Sequence, residues 1–470
     1  MNSVDLAFTP ALEQARLIRE KQVSPLELTE IYLQRIERLN PRLGAYVTVM
    51  GEAALAEAKA KTEQLAQDTS DLPPFFGVTI AIKDLNPVKG VPCAYGLKAA
   101  CDRIASADDH IVNKIRQAGF IILGKTATSQ LGSFPYTEPP GFPPARNPWN
   151  LDYTPGGSSG GSAAALAAGL CAIAQGSDGA GSLRGPAFCT GLFTMKGSRG
   201  RISFAPVGER LQGMAINGPL GRTVGDTAAL MDVMSGYVTG DPYWLPNPDP
   251  AFIEQAQPIS RPLRIGYATH IPPVGEPTAI CAETVRHTAQ RLDSLGHQIE
   301  PFTMPDLSNL IEPFITVWQS ILVEAEVPWF VMEKMNRWLY WRARFVNSGK
   351  YLRKVSKLQQ EARKIVAACT PYDVVLLPVY MDPAIPIGAW RSLKPKQILS
   401  NLVNWVAPCP PFNASGQPAM AIPTAFAPSG VPIGVQLVGR PAEEGTLFSL
   451  AAQLESAYPW PQRPSIAAES

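Results

Sequence analysis

A chain of 470 residues with 46% apolar and 17% charged residues has ample material for a large core and reads as globular. Its 41 basic and 40 acidic residues nearly cancel and form no long run of one sign, which argues against a nucleic-acid surface. Seven scattered cysteines without a CxxC, no run of ~18 apolar residues and no signal-peptide pattern in MNSVDLAFTPALEQ set the expectation of a soluble, cytoplasmic chain with reduced thiols, no metal and no membrane span.

In chain order, residues 8–70 are expected to be helical. TPALEQARLIREKQ places Leu12, Ala15, Leu17 and Ile18 near helical spacing. In SPLELTEIYLQRIERLN, Ser24 stands as N-cap, Pro25 at the first helical position and Glu27 three residues on, a capping box. GEAALAEAKAKTEQLA adds a segment of high helix propensity. The β-branched apolar run FFGVTIAIK, residues 75–83, predicts a buried strand, HIVNKIRQAGF a helix and IILGKT a second strand. Residues 133–155, rich in proline and aromatics, predict an irregular but ordered loop. SAAALAAGLCAIAQ, residues 162–175, reads as a small-residue helix, followed by the glycine-rich GSDGAGSLRG and a strand within LFTMKGSRGRIS. Past a proline-dense passage, RPLRIGYAT opens a strand, and residues 306–367 read as mostly helical. YDVVLLPVY, AMAIPTAF and GVPIGVQLVG predict late strands, and EEGTLFSLAAQLESAY a closing helix. The alternation predicts an α/β class, a mixed sheet covered by helices.

Three places carry candidate chemistry. A lysine ending a strand is usually a solvated charge, but the apolar lead-in to Lys83 predicts desolvation, which lowers an amine's pKa and leaves it basic and neutral near pH 7. PGGSSGGSAAA has the composition of a linker, yet the strong helix former behind it makes its glycines a helix N-terminus with free N–H groups. In GSDGAGSLRG, Ser182 sits among Gly179, Gly181 and Gly185, where backbone N–H groups can converge on one oxygen as an oxyanion hole. Together they supply nucleophile, base and oxyanion donors for acyl transfer.

GGSSGGSAAALAAG followed by GSDGAGSLRGPAFCTG resembles the signature of the amidase signature family of serine hydrolases. VSPLELTEIYLQRIERLNPRLGAYV, FGVTIAIKDL, GVPCAYG, GPLGRTVGDTAALMD, PFNASGQPAMAIP and GVPIGVQLVGR resemble other blocks of the family, so the match runs from about residue 8 to about residue 457. The resemblance implies the amidase signature fold, a large twisted mixed sheet with helices on both sides. It implies one domain over residues 1–470, with a signature core at 71–235 and a variable helical region on the substrate side at 306–370. It implies hydrolysis of a small-molecule carboxamide through an acyl-enzyme, with no cofactor and no nucleic-acid partner, and it leaves a homodimer open. Carried over by residue, the family's Ser–cisSer–Lys triad falls on Ser182 as nucleophile, Ser158 as relay after a cis peptide from Gly157, and Lys83 as base. The oxyanion donors fall on the N–H groups of Gly179, Ala180, Gly181 and Ser182, with Ser159, Asp178 and Arg184 as bracing residues. Family loops commonly read D-T-G-G-S or D-I-G-G-S; here Gly179 lacks the usual side chain and Ala180 adds a methyl, so the pocket wall beside the acyl group is expected to differ.

Two rivals remain beside this reading. Ser159 also centres a G-x-S-x-G pattern, but a nucleophile elbow needs a strand before it and a histidine after it, and NPWNLDYTP is a poor strand. A glutaminase-type subunit of a tRNA-dependent amidotransferase shares the fold. Against it, residues 325–368 look unlike the glutamine-binding segment and, with GDPYWLPNPDPAF, more like the bacterial branch that contains 6-aminohexanoate-cyclic-dimer hydrolase. The cluster Trp318, Trp329, Trp338 and Trp341 reads as helical core or subunit contact, or as the lining of an apolar pocket. Glu324, Glu326 and Glu333 among those apolar residues set the expectation of no membrane contact.

Overall fold

A computed structural model describes residues 2–67, 71–461 and 463–468. One eleven-stranded sheet runs through it. In chain order the strands are β1 (Tyr46–Val49), β2 (Thr79–Lys83), β3 (Ile121–Thr126), β4 (Ile173–Asp178), β5 (Phe193–Lys196), β6 (Ile216–Gly221), β7 (Arg264–Tyr267), β8 (Gln298–Pro301), β9 (Val374–Pro378), β10 (Ala419–Phe426) and β11 (Pro432–Gly439). Across the sheet their order is β1-β3-β2-β4-β6-β5-β10-β11-β9-β7-β8. β2 runs parallel to both β3 and β4, and β9, β7 and β8 form a second parallel set; the pairs between are antiparallel. The sheet is therefore mixed, and helices pack on it, among them Gly160–Ala167 against β2 and β4, and Arg184–Thr190 against β10 and β11.

The N-terminal region is helical as expected, at Ser3–Phe8, Ala11–Arg19, Pro25–Leu43 and Gly51–Gln67; residues 68–70 of the expected span lie outside the described residues. Ser24 and Glu27 close the capping box in both directions. Two expectations are corrected. Between these helices, YVTV forms the edge strand β1 on β3, because its three β-branched residues find a sheet partner that no local pattern announces. The helix expected over 162–175 ends at Ala167, Gly169 takes a left-handed turn at φ +65°, and Ile173 to Asp178 continue as β4. Alanine propensity there yields to a buried strand position between β2 and β6.

Candidate active site

Because β2 and β4 are parallel neighbours, their C-terminal ends open on one edge of the sheet, where Lys83 closes β2 and Asp178 closes β4. Lys83 is fully buried, and its Nζ lies 2.8 Å from Ser158 Oγ, 2.8 Å from Ser159 Oγ and 3.0 Å from Ser177 Oγ. Burial lowers its pKa from 10.5 to about 7, with the Asp178 carboxylate pulling the other way. Lys125, one strand over on β3, is also buried but pairs with Asp84 at 2.8 Å. Lys83 has hydroxyls around it where Lys125 has a carboxylate.

The two serines sit on the turn into the helix Gly160–Ala167, with a cis peptide between Gly157 and Ser158. Gly157 has no room for a side chain, since a Cβ would stand 2.5 Å from the Tyr136 nitrogen. Ser159 occupies the N-cap position without capping the helix; its hydroxyl accepts from Lys83 and donates to the Ser177 carbonyl at 3.2 Å. The Ser159 N–H donates to the Ser182 carbonyl at 3.3 Å, tying this turn to the loop after β4.

That loop is held from beneath by a buried ion pair. Asp178 accepts from Arg184 Nε at 3.0 Å and Nη2 at 2.9 Å, and from Asn413 Nδ2 at 2.9 Å. Burial alone would raise the Asp178 carboxyl, but the Arg184 charge and these bonds outweigh it and hold the group well below the ordinary carboxylate range. Arg184 in turn donates to Gln436 Oε1 and to the Cys409 carbonyl. Gly181, at φ +116°, donates its N–H to Asp178 Oδ1 at 2.7 Å. Of the four expected oxyanion donors, Gly181 is therefore spent on bracing the loop. Among the described residues, none accepts from the N–H groups of Gly179, Ala180 or Ser182.

Ser182, Gly179 and Ala180 line a pocket that opens to solvent. Its far walls come from the helix Ser308–Glu324, through residues such as Phe314 and Trp318, and from the helix Pro395–Val406, through Leu399, Leu402 and Val403. Among the described residues, no charged side chain lines it. The expected substrate-side region thus contributes its first helix, while Trp338 lies half-buried under Arg342, and Trp329 and Trp341 are exposed. Sequence reasoning missed the 395–406 wall, the Tyr380 ring beside Gly185, and the bracing roles of Ser177, Asn413 and Gln436. The last two stand in blocks that carried the family resemblance, which was their available signal. The Ser159 elbow fails on geometry. Among the described residues no strand leads into it and no histidine side chain is hydrogen-bonded to Ser159; His270 faces Glu276, and His297 bridges Leu263 and Gln453.

A large mixed sheet carrying a buried lysine, a serine pair and a glycine-rich loop at one edge defines an α/β hydrolytic enzyme class. The Amidase family model matches residues 27–448, and the chain belongs to that family, whose members hydrolyse amides. It is 48% identical to a putative amidase of Synechocystis sp. over 453 residues, 96% of this chain and 89% of that protein. It is 34% identical to the 6-aminohexanoate-cyclic-dimer hydrolase of Paenarthrobacter ureafaciens, over 98% of this chain and 97% of that one. A solved structure of 6-aminohexanoate cyclic dimer hydrolase superposes with a TM-score of 0.91 at 31% identity, over 98% of this chain and 99% of that chain. The fold is the amidase signature fold, and the protein is an amide hydrolase.

Proposed function

We propose that the chain hydrolyses neutral, apolar carboxamides through an acyl-enzyme on Ser182, with Ser158 as proton relay and Lys83 as base. One observation carries the reading: a fully buried lysine whose pKa falls to about 7 stands 2.8 Å from Ser158 Oγ. A neutral amine has two N–H donors and one lone pair. Ser159, whose own proton goes to the Ser177 carbonyl, takes one N–H, and Ser177 Oγ takes the other, so the lone pair is left for the Ser158 proton.

In the reaction, Ser182 Oγ attacks the carbonyl carbon as its proton passes to Ser158 and on to Lys83. The developing oxyanion is met by the N–H groups of Gly179, Ala180 and Ser182. The C–N bond breaks as the proton returns to the leaving amine, and water then cleaves the acyl-enzyme through the same relay. The uncharged pocket favours aliphatic or aryl acyl groups and offers nothing to hold the α-ammonium and α-carboxylate of glutamine. That counts against the glutaminase-type subunit. The test is amine release by the purified chain and its Ser182→Ala variant across glutamine, aliphatic and aryl amides, and linear and cyclic 6-aminohexanoate dimers. Turnover of neutral amides by the wild type alone supports the reading, and ammonia from glutamine only would sink it.

A further inference from the structure

Where the pocket helix Ser308–Glu324 ends, aromatic rings stand in water. Trp329, Phe330, Trp341 and Phe345 are 43%, 65%, 40% and 79% exposed. Their rings form a row, with centroids 6.1 Å apart for Trp329–Phe330, 5.7 Å for Trp329–Trp341 and 6.3 Å for Trp341–Phe345. Single exposed apolar side chains need no explanation, but a contiguous aromatic row marks a contact surface.

The segment that carries Trp341 and Phe345 is basic. Residues 334–357 hold Lys334, Arg337, Arg342, Arg344, Lys350, Arg353, Lys354 and Lys357 and no Asp or Glu, in a chain whose basic and acidic residues nearly cancel overall. Lys354 and Lys357 are paired with Glu312 and Glu361; among the described residues no carboxylate bridges the others. The acids expected to keep this region off a membrane are largely neutralised. Glu324 pairs with Arg210 at 2.8 Å, and burial, then the Glu138 charge, push the Glu333 carboxyl up to about 8. Of the three acids, only Glu326 is exposed without an ion-pair partner among the described residues.

We propose that this aromatic–basic face docks the protein on an anionic lipid bilayer as a peripheral contact. Trp and Phe rings settle at the headgroup level while Lys and Arg reach anionic headgroups, so one face satisfies both halves of a bilayer surface. A second copy of this chain fits poorly, because a two-fold contact would set the basic row against itself. An acidic protein would match the charge, but the patch adjoins the helix that lines the apolar pocket, and the neutral amides that suit the pocket concentrate in lipid. That last point rests on the substrate reading above. No described helix is long and apolar enough to cross a membrane, so the contact lies on the surface.

Flotation of the purified full chain tests this without using activity, so it stands apart from the substrate reading. On vesicles of phosphatidylcholine with about 30% phosphatidylglycerol, the bound fraction should exceed that on phosphatidylcholine alone by at least ~10-fold. Binding should be lost at about 0.5 M salt, where charge attraction is screened within a few ångströms. Phe330→Ser/Phe345→Ser and Arg342→Glu/Arg344→Glu should each cut it by at least ~10-fold while hydrolysis of a water-soluble amide is unchanged. Absent binding, equal binding to both vesicle types, or binding indifferent to both variants overturns the proposal. So does a dimer in size-exclusion chromatography that the same variants split, which would assign the face to a second copy.

Discussion

Lys83 Nζ and Ser158 Oγ lie 2.8 Å apart with almost no access to water, the lysine fully buried and the serine 2% exposed. On the proposed mechanism this contact passes a proton without a solvent step, so the chemistry should depend on both ends of the chain of hydroxyls. Ser182→Ala and Lys83→Met are each expected to lower kcat by about 10⁴-fold or more, as removal of one member of a unit that acts together does. Amine release measures the loss, and circular dichroism should find both variants folded. A residual rate within tenfold of wild type in either would remove that residue from the mechanism.

With Lys83 as the proposed base, the same lysine should set the pH response. Burial brings its folded pKa down to about 7, and only the unprotonated amine can accept the Ser158 proton. Below that pH the active fraction falls about tenfold per unit, and above it the fraction is nearly complete. The profile of kcat/KM for a neutral amide should therefore rise with unit slope up to about pH 7 and flatten beyond. A profile flat from pH 5 to 9 would contradict a lysine base.

Ser159→Ala separates the relay from the elbow. The substitution removes one of the hydroxyls around Lys83 but leaves Ser182, Ser158 and the amine in place. Loss of one such bond, about 1–2 kcal/mol, predicts a fall of roughly 5- to 30-fold in kcat with the acyl-enzyme still forming on Ser182. Mass spectrometry of the trapped intermediate locates the acyl group. Complete inactivation, with no acylation of Ser182, would restore Ser159 as the nucleophile.

What sequence alone could reach follows from range. Lys83 was readable because its apolar lead-in is local, and Ser158 and Ser182 because each lies in a dense glycine block. β1 and β4 were not, since YVTV lies between helices and Ile173 to Asp178 follows an alanine-rich run; each becomes a strand only by pairing with distant segments. β6, with Gly218, Pro219 and Gly221 inside it, also lacks a strand pattern. Asn413 and Gln436 reach Arg184 from 229 and 252 residues away, a relationship no periodicity encodes. The tryptophan cluster divides the same way. Composition treats Trp318 and Trp329 alike, and only packing places one on the pocket and the other in water.

The Asp178–Arg184 pair predicts a stability effect distinct from catalysis. Both side chains have 0% exposure, so Arg184→Met leaves a buried carboxylate without its cation. Breaking such a pair from one side costs about 3–5 kcal/mol, visible as a lower urea midpoint. The double variant Asp178→Asn/Arg184→Met removes both charges and should recover part of that loss. If the double variant is no more stable than the single, the pair's charge is not what holds the loop.

The pocket predicts how substrates divide. Trp318 and Phe314 lie on one helix and face a cavity without charge, so the ring of Trp318 should contribute apolar contact to a large substrate and almost none to a small one. Loss of roughly 100 Å² of such contact, at about 25 cal/mol per Å², corresponds to roughly a 50- to 100-fold fall in kcat/KM. Trp318→Ala should therefore lose about that much on a long aliphatic or aryl amide and change little on an acetamide-sized one. Side-by-side kinetics on the two substrates removes any common loss from disturbed packing, since Trp318 is also 7% exposed and part of the core. Equal losses on both substrates would mean that the tryptophan holds the fold rather than the substrate. A larger loss on the small amide would place the acyl group elsewhere.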